Sequence, residues 1–97
     1  MRLAPVLALL ASPALADSEA AWEGFRAEVE AACRAEVEGL GEVKGEVAVD
    51  VNPFGSEHYG VALVTLASEA GTDRMACVFD KATREAEITA PFASPAE

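Results

Sequence analysis

Two cysteines, Cys33 and Cys77, are the residues of this 97-residue chain whose type and number most directly imply chemistry, and that chemistry is a bond to each other. A lone pair without a C-x-x-C spacing is not the pattern of a redox dithiol. A zinc site would need further donors, and the single histidine, His58, has no companion histidine or nearby cysteine. In a small chain in an oxidising compartment, such a pair reads as a structural disulfide. Closing a loop of this length restricts the unfolded chain by about 4 kcal/mol in the chain-entropy account.

The remaining reactive side chains do not assemble into a catalytic pattern. A nucleophile needs a base within hydrogen-bond reach and a group to orient it. One histidine, one tyrosine and scattered hydroxyls do not supply that arrangement in sequence. Carboxylates are plentiful, yet acid–base work needs a pair set in a cleft, and most of these acids fall on solvated positions. No D-x-[DN]-x-[DN]-G run suggests a calcium loop, and no glycine-rich phosphate loop is present. The expectation is a protein without catalysis, cofactor or metal, acting by contact.

The compartment is suggested by the N-terminus. Residues 1–16 begin with Met1-Arg2, continue through an apolar run, break at Pro13 and end in Ala14-Leu15-Ala16. One positive charge, a short apolar core and an A-x-A site make a secretory signal peptide, cut after Ala16. The run is shorter than the ~20 residues a spanning helix needs. The mature domain is then 17–97, free of the membrane after cleavage, in the periplasm or the medium. It keeps six Lys and Arg (Arg26, Arg34, Lys44, Arg74, Lys81, Arg84) against seventeen Asp and Glu. Such a balance repels phosphate backbones and disfavours nucleic acid as a partner.

Elements to position these groups follow from periodicity. Between Ser18 and Leu40 the apolar residues Trp22, Phe25, Val29, Cys33, Val37 and Leu40 recur every three or four positions. They form one stripe of an amphipathic helix, capped by Asp17 or Ser18 and stopped by Gly39 and Gly41. From Val43 to Val51 the period becomes two, the mark of a strand with one wet face. Asn52-Pro53-Phe54-Gly55 turns the chain. Further strands are expected from about His58 to Ala67, Arg74 to Asp80 and Glu85 to Thr89, with an irregular tail from about Pro91.

Short connections favour an α+β domain in which the N-terminal helix packs on a four-stranded antiparallel meander, with the disulfide tying helix to sheet. In plan this resembles cystatin-like and PepSY-type domains and some periplasmic inhibitors. The likeness is one of architecture, since the Q-x-V-x-G loop of true cystatins is absent, and architecture implies no activity.

If Cys77 faces the helix, so do Met75 and Phe79, and a turn centred on Gly71 sets Val61 and Leu63 beside them. Ala62, Val64, Leu66, Ala76 and Val78 then look outward and form an apolar patch where a one-sided sheet should be polar. Either the tail with Pro91 and Phe92 folds over this patch, or the patch meets another chain, a second copy or a different exported protein. The loop carrying Phe54, His58 and Tyr59 is a second candidate contact, because aromatic residues on a rigid turn make recognition anchors. The functional expectation is a small exported binding or accessory module. The alternatives are a structural or stress-related periplasmic protein with no specific ligand, and a small hydrolase-type enzyme.

Overall fold

The computed structural model describes residues 18–41 and 44–93; the proposed signal segment, residues 1–16, and Val43 lie outside them. One helix, α1 (Glu19–Glu38), is followed by β1 (Glu46–Val51), β2 (Tyr59–Ser68), β3 (Gly71–Asp80) and β4 (Ala86–Ile88). The four strands form a single antiparallel sheet in the order β1-β2-β3-β4, with the helix against one face.

Ser18 caps α1, its Oγ accepting the Ala21 N–H at 3.1 Å, so one of the orphan amides of the first turn is satisfied. The apolar stripe then buries Val29, Cys33 and Val37 completely or nearly so, with Phe25 packed at its edge. Leu40, expected to extend the stripe, lies past the last helical turn and is 59% exposed. Cys33 and Cys77 are joined, with their Cα atoms 6.0 Å apart and both side chains fully buried. The covalent link therefore runs through the core, from the C-terminal half of α1 to the C-terminal half of β3.

The sheet corrects one expectation. Ala62 pairs with Cys77 and Val64 with Met75, so Ala62, Val64 and Leu66 point at the helix; Ala62 and Val64 are buried and Leu66 packs against the core. Val61 and Leu63 take the outward positions instead, with Leu63 44% exposed. The cause is the parity of the β2–β3 connection. Ser68 pairs with Gly71 across the two-residue loop Glu69-Ala70, and Gly71 holds φ +133°, which a residue with a side chain rarely adopts. A turn centred on Gly71 itself moves the register by an odd number of residues, which turns every β2 side chain to the other face. Ala76 and Val78 do lie on the outward face, half-buried.

Gly60 sets how closely helix and sheet approach. It lies opposite Phe79, and a Cβ there would come 2.8 Å from Val29 Cγ2 and 2.9 Å from Phe25 Cζ. Only a bare backbone lets the helix sit that low on β2.

Candidate functional site

Each sheet face has a distinct chemistry. On the helix side, Phe25 stands edge-on to Trp22 and Phe79, with ring centroids 5.5 and 6.1 Å away, and Trp22 stands edge-on to Phe54 at 4.9 Å. Three cations close over this cluster. Lys81 Nζ sits 5.1 Å from the Phe25 ring and 5.6 Å from Trp22 while donating to the carbonyls of Phe54 and Ser56. Arg26 lies 5.9 Å over Phe54, bonds the Pro53 carbonyl and pairs with Glu19. Arg84 lies 5.4 Å over Phe79 and grips the Glu28 carboxylate through two nitrogens. These contacts fasten the β1–β2 and β3–β4 loops to the N-terminal half of α1, so the cluster is a clasp whose donors are already engaged.

The loop residues Phe54, His58 and Tyr59 do not form one surface. Asn52 Oδ1 accepts the N–H groups of Phe54 and Gly55 and folds the loop so that Phe54 turns back onto Trp22. Tyr59 begins β2 on the opposite face, where it is 43% exposed. His58 stands between them, its side chain 75% exposed and its ring edge-on to Tyr59 at 6.4 Å.

The outer face is where apolar surface stays open. Tyr59, Val61, Leu63 and Thr65 alternate outward along β2, and the β2–β3 pairing places Val61 beside Val78 and Leu63 beside Ala76. Asp50 of β1 stands opposite Leu63, and Glu87 of β4 opposite Val78. Two shallow open depressions flank the patch. One of about 450 Å³ lies at Tyr59, Val78, Asp80 and Glu87, and one of about 280 Å³ at Asp50, Val61 and Leu63.

The tail runs along the free edge of β3. The Thr89 N–H donates to the Ala76 carbonyl, and Ala76 returns its N–H to Thr89 Oγ1. The Phe92 N–H donates to the Arg74 carbonyl, and Phe92 is left 60% exposed. The described tail therefore continues the β4 pairing at the sheet edge.

Of the expected contact residues, Ala76 and Val78 belong to the outer patch, while Ala62, Val64 and Leu66 belong to the core. Val61 and Leu63 were missed as surface residues, although a two-residue loop before a left-handed glycine is a signal that selects them. Among the described residues no three histidine, cysteine, aspartate or glutamate side chains gather as a metal site would require, and no helix is long and apolar enough to cross a membrane. Fold and site together define a two-layer α+β domain with a covalently tied core and a sheet face left uncovered among the described residues. Comparison with models of known protein families, with curated proteins and with solved structures finds no match for the chain.

Proposed function

We propose that this protein is a small exported binding module that acts through non-covalent protein contacts on the outer face of its sheet. The observation that carries the reading is the row of apolar side chains at Val61, Leu63, Ala76 and Val78, extended by Tyr59, on a face that no described element covers. A one-sided antiparallel sheet places polar residues there, and an apolar row centred on two adjacent strands is the composition of a contact surface. Export accords with the N-terminal segment and with the buried disulfide, which persists in an oxidising compartment.

The test is site-specific photo-crosslinking in the cells that make the protein, with the reactive residue at position 63 and, as control, at exposed Glu23 on the helix. A discrete protein adduct from position 63 that is missing from position 23 supports the reading. No adduct at 63, or the same adducts from both positions, refutes it.

A further inference from the structure

The identity of the partner follows from how charge is sorted between the two faces. Four of the six cations among the described residues are on the helix side, where Arg26, Arg34 and Arg84 pair with Glu19, Glu30 and Glu28, and Lys81 binds loop carbonyls. The outer face receives the opposite sign. Strand alternation and register put Glu46 and Asp50 on its β1 margin, Glu87 on its β4 margin and Asp80 at its end beside Tyr59, against Arg74 on β3 and Lys44, which precedes β1 beside Glu46 at the far end from Tyr59. Glu46, Asp50 and Glu87 form no ion pair among the described residues. The apolar row is thus bordered by carboxylates along both sides.

A second copy suits this face poorly. Two-fold docking of the outer face on itself brings the acidic margins together, and like charges in a closing interface cost affinity. The area is also small. At about 4.8 Å between strands and 3.4 Å per residue, the patch from Tyr59 to Thr65 with Ala76 and Val78 covers on the order of 200 Å². A stable dimer buries about 800 Å² on each partner. A patch of this size matches the apolar side of one helix or strand.

We propose that the outer face receives a cationic amphipathic segment of another protein, its apolar side over Val61, Leu63, Ala76 and Val78 and its Lys or Arg side chains over Asp50 and Glu87. The inference rests on the reading of this face as a protein-binding surface and adds the chemistry of what binds. A helix laid there would give the sheet a second helical layer opposite α1, a common way for a sheet to bury both faces.

The probes are three synthetic helical peptides with the same leucine pattern, carrying lysine, glutamate or glutamine at every polar position, titrated against the purified protein. Each exposed ion pair contributes a factor of about two to five, so two margins favour the lysine peptide over the glutamine peptide by about tenfold. That preference falls as salt is raised. It disappears in D50N/E87Q and survives in E23Q/E38Q, which removes the same charge from the helix side. L63K, which keeps the fold because Leu63 is outward, abolishes binding of the lysine peptide.

Equal binding of lysine and glutamine peptides, both lost in L63K, overturns the cationic partner while leaving the protein-binding face in place. Lysine-peptide binding that L63K leaves intact, or that E23Q/E38Q weakens as much as D50N/E87Q does, is bulk attraction to an acidic protein and overturns the inference. So does a concentration-dependent dimer, by light scattering, that L63K abolishes, since a second copy then owns the face. Peptide binding that appears only after residues 1–16 or 91–97 are removed likewise assigns the face to a segment of the chain itself. Failure of all three peptides alongside a position-63 crosslink rejects the chemistry alone; failure of both removes the site.

Discussion

Adjacent residues on β2 give the most direct test of the register, because Val64 is fully buried and Leu63 is 44% exposed. Val64→Ala removes two methylene equivalents from the core, about 1.6 kcal/mol of transfer free energy. The cavity left beside Met75 and the disulfide raises the cost to about 2–3 kcal/mol. Leu63→Ala removes a larger group, but nearly half of it already meets water, so it costs roughly 1 kcal/mol at most. For a domain of this size each kcal/mol moves Tm by about 4–8 °C. Thermal unfolding followed by far-ultraviolet circular dichroism, with the disulfide intact, should therefore place V64A about 10–20 °C below the parent protein. L63A should fall only a few degrees. The larger residue giving the smaller effect is the signature of the register. If L63A proves as destabilising as V64A, Leu63 faces the helix and the outer face described here does not exist.

Two further outcomes are expected. Replacing both Cys33 and Cys77 by alanine should cost up to about 4 kcal/mol, read as a drop in the urea midpoint, because the bond joins residues 44 positions apart in sequence; an unchanged midpoint would mean that the bond contributes nothing to stability. Gly60→Ala should lower stability by about 1–3 kcal/mol through the clash of its Cβ with Val29 and Phe25. A neutral G60A in the same denaturation assay would show that helix and sheet do not approach as closely as the structure has them.

Much of the architecture was legible because each element follows one strong rule. The three- and four-residue spacing from Trp22 to Val37 specifies a helix, the alternation through β1 a half-buried strand, and the cysteine pair the layer that joins them. What stayed hidden was the side to which β2 turns. From Val61 to Leu66 the strand is apolar on both faces apart from Thr65, so periodicity carries no preference, and a two-residue against an odd-residue connection decides everything. Composition indicated an apolar patch on the outer face but assigned it to the wrong β2 residues, while Ala76 and Val78, fixed relative to Cys77, were placed correctly. The clasp of Lys81, Arg26 and Arg84 was out of reach for a different reason: residues far apart in sequence meet there only once the loops have folded.

The bond through the core also changes the shape the chain keeps when it unfolds. Before Cys33 and Cys77 join, the polypeptide is a linear thread that passes a pore one extended strand wide. Afterwards it contains a covalent ring running from Cys33 to Cys77, whose two limbs must move together. A passage narrow enough to demand an unfolded thread admits the chain in its reduced form and bars the oxidised one. The link therefore decides what the unfolded chain can thread through as well as bracing the fold.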